Sequence, residues 1–137
     1  MSINDLIFKK HNFEESKNNI DELLSILIVN YQIDLPEDFI NYLKNFESFE
    51  GFINNEYVSF WPFDELIEVN EVNRIFEIEP KTIGIGTNGG GELIALQIED
   101  KVWKVVLMPL IGLDYPIEIG SSFSNFLEKL DNGEKWM

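Results

Sequence analysis

The glycines at Gly84-x-Gly86-x-x-Gly89 match, letter for letter, the pattern of dinucleotide-binding proteins. That pattern binds a pyrophosphate only when a helix begins directly after it, because the phosphates rest on the helix N-terminus. The residues that follow here, Leu93 to Leu96, are instead apolar and typical of a strand. We therefore expect a tight turn, in which glycine supplies positive φ, and no nucleotide cofactor. The glycines assigned to this turn are Gly84, Gly86, Gly89, Gly90 and Gly91.

A catalytic or metal-binding group is hard to assemble from this composition. The chain contains no cysteine, and its single histidine, His11, lies near the N-terminus. Without cysteine a Cys-His mechanism is excluded, a Ser-His mechanism would rest on that one residue, and a metal site would lack a second histidine or any thiolate. With 25 Asp and Glu residues, some carboxylates lie near one another by chance, so proximity alone does not indicate acid–base catalysis. We expect a protein that is not an enzyme, without cofactor or metal, and interpret His11 as an ordinary surface residue.

The charge balance is strongly acidic and limits the choice of partner. Ten Lys and Arg against 25 Asp and Glu give a formal charge of 10 − 25 = −15. Such a field repels phosphate backbones and anionic lipids, so we expect neither nucleic acid nor a membrane as partner. The same field attracts a basic protein surface, with an effect that weakens as salt rises. The alternative is that the charge serves only solubility.

Acidic and polar residues in three segments are the candidates for contact with a protein partner. They are Glu47, Glu50, Glu65, Glu68, Glu71, Asn88 and Glu92. Each set has a plainer alternative, since most charged runs are solvated faces and the loop at 87–92 can be only a turn. Trp61 can anchor an interface, but it continues an apolar strand and is better interpreted as a core residue.

Apolar residues at helical spacing predict two helices in the first third of the chain. The stripe of a short N-terminal helix consists of Ile3, Leu6 and Ile7. The stripe of a longer helix consists of Ile20, Leu23, Leu24, Leu27, Ile28 and Tyr31. Asn18 or Asn19 can cap the longer helix, whose first turn carries two acids.

Two further helices are predicted to begin at prolines. Pro36 suits the first position of a helix. Its buried stripe consists of Phe39, Leu43 and Phe46. Pro62 ends an aromatic and β-branched strand, Tyr57 to Trp61, and a short helix at about 63–70 follows it.

The second half of the chain favours strands and one closing helix. Glu92 to Ile98 and Val102 to Met108 predict a hairpin through the turn at 99–101, and Ile117 to Ile119 predict a short strand. Ser121 or Ser122 can cap the last helix, which ends at Asp131-Asn132-Gly133. Its stripe consists of Phe123, Phe126, Leu127 and Leu130.

This order of elements predicts an α+β fold, a single domain over 1–137 with a mixed, largely antiparallel sheet flanked by helices. The N-terminus does not have the pattern of a secretory signal. The longest apolar stretch, Leu23 to Val29, is far shorter than a membrane span. We therefore expect a cytoplasmic protein, and the absence of cysteine fits a reducing compartment.

Several blocks of the chain resemble the SUKH superfamily, a domain named partly after yeast cell-wall synthesis regulators. Leu35-Pro36-Glu37-Asp38-Phe39 with Leu43 is similar to its LP-x-D-aromatic opening, and Phe60 to Ile67 resembles its strand followed by an acidic helix. Ile83 to Glu92 resembles its glycine-rich turn. Val106 to Leu110 with Ser122 to Leu130 resembles its closing strand and helix. The resemblance covers about residues 18 to 131; the segment Phe46 to Gly51 departs from the Asn-Gly or Gly-Gly that many members carry.

The resemblance implies a function as well as a fold. Bacterial members are typically immunity proteins that bind and block polymorphic toxins, often nucleases. For this chain it implies a protein that neutralises a basic toxin domain by occluding its surface. The alternative is a regulatory scaffold that binds a protein without inhibiting a toxin, since such domains also occur in eukaryotic regulators. The residues leave the identity of the partner, the binding face and the oligomeric state open.

Overall fold

A curled antiparallel sheet forms the centre of the computed structural model, which describes residues 3–136. Within this range the helices are α1 (Ile3–Lys10), α2 (Asp21–Tyr31), α3 (Glu37–Asn45), α4 (Leu66–Val72), α5 (Ile75–Ile78) and α6 (Phe123–Asp131). The strands are β1 (Glu50–Ile53), β2 (Glu56–Phe60), β3 (Thr82–Thr87), β4 (Glu92–Glu99), β5 (Val102–Pro109) and β6 (Ile117–Gly120). The α+β class is confirmed. Every described pairing is antiparallel, in the order β1-β2-β3-β4-β5-β6, so the sheet is more regular than the mixed one expected.

The central strands β4 and β5 are buried on both faces. Ile94 and Leu96 of β4 join the main core, which includes residues of α1, α2, α3 and α6. Their neighbours Leu93 and Ala95 point to the opposite face and pack in a smaller core with Ile75 of α5. The predicted hairpin is confirmed, and its two-residue loop, Asp100-Lys101, has positive φ at both positions, as a hairpin turn matched to strand twist requires.

The stripes predicted for the longer helices are largely confirmed. Phe39, Leu43 and Phe46 are buried, as are the four apolar residues assigned to α6. In α1, Ile7 is buried and Leu6 is exposed, while the side chain of Ile3 lies outside the described residues. Ile28 of α2 is exposed at the surface. The part of the chain described here contains no helix that is both long and apolar enough to cross a bilayer.

Two predicted glycine roles are wrong. Gly84 and Gly86 lie inside β3, and neither has positive φ, so they do not form the turn. A Cβ on Gly86 would lie 2.2 Å from the carbonyl oxygen of Ser59, and one on Gly84 would lie 2.8 Å from Leu93. These glycines are required by close packing. Gly89 and Gly91 do adopt positive φ in the turn.

Helix starts differ from the prediction in detail. Ile20 is the N-cap of α2, although the side chain of Asn19 accepts a hydrogen bond from the backbone N–H of Asp21 at 3.1 Å. The Asn18 side chain does not cap α2 and instead donates to the carbonyls of Leu43 and Phe46. Pro36 is the N-cap of α3 and not its first helical residue, so the helix begins at Glu37, one residue later than expected. Ser122 caps α6 as predicted, because its hydroxyl accepts from the N–H of Asn125 at 3.0 Å.

The structure also corrects the interpretation of His11. Its side chain is only 12% exposed, and its Nε2 lies 2.9 Å from Asp131 Oδ1. Lys10 Nζ lies at the same distance from that oxygen. His11 therefore helps to join the end of α1 to α6 and is not an ordinary surface residue.

Candidate partner-binding surface

Helix α4 packs one side against β3 and presents acidic residues on another side. Leu66 and Asn70, four residues apart, are fully buried. Glu65 immediately before the helix, and Glu68 and Glu71 within it, are exposed. Glu68 and Glu71 lie one helical turn apart, on neighbouring parts of the surface. The predicted acidic series thus forms one face.

A cleft of about 290 Å³ brings Glu47 into the same region as Glu65. Its walls include Trp61 and Phe63, both half-buried. Trp61 also packs against both apolar cores, so its interpretation as a core residue holds for much of the ring. The rest of the ring is available to a ligand in the cleft.

A second cleft, of about 380 Å³, lies between α2 and α4 and shares residues with the first. We call it the acidic groove. Its exposed carboxylates are Glu22, Asp64, Glu68 and Glu71. Its half-buried apolar residues are Ile26, Phe63 and Ile67. Helix α2 was not predicted to contribute to the site, and Glu22 and Asp64 were not among the candidate contact residues.

A hydrogen bond joins the two helices beside the acidic groove. The hydroxyl of Tyr31 in α2 donates to Glu71 Oε2 at 2.6 Å. This hydrogen bond to a carboxylate raises the pKa of Tyr31, because it stabilises the protonated phenol. Tyr31 also stacks on Phe76 of α5, with ring centroids 4.1 Å apart. The last turn of α2 is therefore fixed against α4 and α5.

The remaining candidate residues lie in a separate cluster beside the β3–β4 turn. The hydroxyl of Tyr57 donates to Glu50, which raises the pKa of Tyr57. The Tyr57 ring packs close to Gly89 of the turn. Within the turn, the side-chain amide of Asn88 donates to Glu92 Oε1 at 2.9 Å. The structure thus divides the predicted contact residues into two groups and does not combine them in one site.

The distribution of charge along the sequence also indicates this surface. Residues 18–73, which include both sides of the acidic groove, contain 12 Asp and Glu and a single cation, Lys44, so this stretch carries 1 − 12 = −11 of the total −15. The charge is therefore concentrated in the stretch that runs from α2 to α4 and also contains β1 and β2. The distribution of charge along the chain therefore indicates this stretch as a whole, with α2 included in it.

Together these features define an acidic α+β domain with clefts that combine carboxylates and apolar side chains. Within that class the chain belongs to the SMI1 / KNR4 family (SUKH-1), whose family model matches residues 16–129. The resemblance noted from the sequence is thereby confirmed. An immunity-type function and a protein partner fit this family. No curated protein matches the chain.

Proposed function

We propose that the protein is an immunity-type inhibitor that binds a basic toxin domain and blocks it by covering its surface. The observation that carries this proposal is the exposed acidic face formed by Glu65, Glu68 and Glu71 beside the acidic groove. A toxin that cleaves nucleic acid needs basic residues where it grips phosphates, and an acidic surface is complementary to them. Membership of the SMI1 / KNR4 family supports the same function.

Two carboxylates of this face, Glu65 and Glu68, and the neighbouring Asp64 are available for a partner. Within residues 3–136 no ion pair involves Asp64, Glu65 or Glu68, whereas other acids, such as Glu77 and Asp131, are paired with cations. Unpaired carboxylates keep their full Coulomb attraction for a basic surface. They would speed the diffusional encounter, and the rate would fall as salt screens the charges.

Inhibition by occlusion requires no reactive group in this chain. The inhibitor has only to occupy the phosphate-binding surface of the toxin and remain there. A stoichiometric one-to-one complex is therefore expected, with its lifetime set by packing at the centre of the interface.

Co-expression tests the proposal directly. The probe is the product of the gene adjacent to the one that encodes this chain, produced in a host that it kills. We expect growth to be restored when the protein is present and a one-to-one complex on gel filtration. Killing that is equally efficient with and without the protein would refute the proposal. Capture of a non-toxin protein whose activity is unchanged would instead support a regulatory scaffold.

A further inference from the structure

We infer that the acidic groove between α2 and α4 receives one short basic segment of the protein partner, in which Lys or Arg side chains flank an apolar side chain. This inference rests on the proposed function only in taking the partner to be a basic protein. It adds the place where that partner docks and the chemistry of the segment that docks there.

The apolar residues of the acidic groove favour a buried contact at its centre. Ile26 from α2 and Phe63 and Ile67 from the α4 side are half-buried, so part of each remains in contact with solvent. An acidic surface without such residues would be only a solvated face. A concave surface with an apolar centre and a polar rim is instead typical of protein interfaces.

Carboxylates on both sides of the acidic groove favour a positively charged ligand. Glu22 approaches from α2, while Asp64, Glu68 and Glu71 approach from the α4 side. None of the described residues that line the groove is Lys or Arg. An Arg or Lys entering here could place its aliphatic stem on Phe63 and its charged end among the carboxylates.

The length of the acidic groove limits the segment that fits. Asp64 lies in the turn before α4 and Glu71 lies near the end of α4, seven residues further on, a separation of about 10 Å at the helical rise per residue. This length accommodates about two helical turns of a partner, or about three residues of an extended strand. The occupant is therefore a projecting helix end or loop of the partner.

The cluster beside the β3–β4 turn is a weaker candidate for the same partner. Glu50 already accepts a hydrogen bond from Tyr57, and Glu92 already accepts one from Asn88. Their carboxylates would have to give up or share these bonds to bind a cation. The groove carboxylates Glu22, Asp64 and Glu68 form no side-chain hydrogen bond within the described residues, so they bind a cation without that cost.

Two triple variants of equal net charge distinguish the effect of the groove carboxylates on binding from the effect of the overall charge. The groove variant is Glu22→Gln, Asp64→Asn and Glu68→Gln. The control variant is Asp114→Asn, Glu118→Gln and Glu134→Gln, which changes the same residue types at exposed positions outside the groove. Each variant has a formal charge of −15 + 3 = −12. All six residues are exposed, so both variants should fold, which thermal unfolding verifies.

The probes are two synthetic peptides of equal length and charge, one with Lys flanking Leu and the other with Ser in place of each Leu. We expect the wild-type chain to bind the Leu peptide more tightly, and the groove variant to lose about tenfold in affinity for it. The control variant should change by no more than about twofold. Equal weakening in the two variants, or equal affinity for the two peptides, would overturn the inference.

The toxin assay distinguishes failure of this inference from failure of the proposed function. If the wild-type chain and the groove variant protect cells equally well, the inference is wrong and the proposed function stands. If the wild-type chain does not protect, the proposed function fails, while preference for the Leu peptide at the groove still supports the docking site. Loss of protection in the groove variant alone supports both.

Discussion

The side chain of Asn70 in α4 forms, with the backbone of Gly84 in β3, the two hydrogen bonds that a neighbouring strand would otherwise form. Asn70 Oδ1 accepts from the Gly84 N–H at 2.7 Å, and Nδ2 donates to the Gly84 carbonyl at 2.9 Å. The register of β2 against β3 extends only from Thr87 to Gly86, so it does not reach Gly84. Because Asn70 is fully buried, these two bonds fix the acidic helix to the sheet.

We expect Asn70→Ala to destabilise the protein strongly. The substitution leaves the buried N–H and carbonyl of Gly84 without that partner, a loss of about 2–4 kcal/mol in the free energy of unfolding. Urea denaturation measures the change. Asn73→Ala is the matched control, since Asn73 is the C-cap of the same helix and its half-buried side chain bonds, among the described residues, only to the Val69 carbonyl. Similar losses in the two variants would contradict the role assigned to Asn70.

Substitution of Gly86 should destabilise the protein for a steric reason. In Gly86→Ala the new Cβ would meet backbone, at 2.2 Å from the Ser59 oxygen and 3.0 Å from the Phe60 Cα. Backbone cannot move aside as a flexible side chain can, so we expect β2 and β3 to separate, with a loss of about 3 kcal/mol or more. Thermal unfolding and amide exchange of β2 measure this effect.

The control for this prediction lies four residues further along the chain. Gly90 does not have positive φ, and the nearest atom to an added Cβ is the Asn88 side chain at 3.5 Å. Gly90→Ala should therefore change the free energy of unfolding by less than about 1 kcal/mol. A large loss in Gly90→Ala, or a negligible one in Gly86→Ala, would show that packing is not what requires glycine at position 86.

The sequence predicts the elements whose patterns are long. The hairpin of β4 and β5 and the stripes of α3 and α6 follow from periodicity. Strand β1 is not among the predicted elements. Its signal in the sequence is Asn54-Asn55, the two-residue loop in which Asn54 has positive φ. The helix expected at 63–70 begins only at Leu66. The N–H groups of Glu65 and Leu66 bond to the carbonyls three residues before them, those of Pro62 and Phe63, which is the pattern of a 3₁₀ turn and not of an α-helix.

The candidate site was predicted only in part, for a physical reason. Local spacing places Glu65, Glu68 and Glu71 on one face, because that depends on helix geometry alone. The position of Glu22 across the acidic groove from Glu68 and Glu71 depends on how α2 packs against the rest of the fold, which no short-range pattern encodes. The assignment of Gly86 to a turn was wrong for a similar reason, since the close approach of β2 to Gly86 is a tertiary contact.

The side chain of Asp38 in α3 is hydrogen-bonded to the start of α6. Its Oδ2 accepts from the N–H and the hydroxyl of Ser124, at 2.9 and 3.0 Å, in the first turn of α6. A carboxylate there satisfies a free N–H and interacts favourably with the helix dipole. Asp38→Ala should cost about 1–2 kcal/mol in urea denaturation. Glu37→Ala, at the exposed neighbouring position, should cost much less; equal costs would refute the capping role.

The pH dependence of stability should contain a contribution from Asp131. Its contacts with Lys10 and then His11 lower the pKa of this carboxyl below its usual value of 3.8. Since the unfolded chain then binds the proton more readily, the stabilisation is fully present above pH 3.8 and is lost as pH falls through the lower folded pKa. Asp131→Asn removes this contribution, so the difference in stability between wild type and variant should shrink as pH falls below 3.8. Urea denaturation across that range measures it, with Glu134→Gln, an exposed carboxylate in the same segment, as the control. A difference for Asp131→Asn that is independent of pH would show that the contacts of Asp131 with Lys10 and His11 do not favour its charged form.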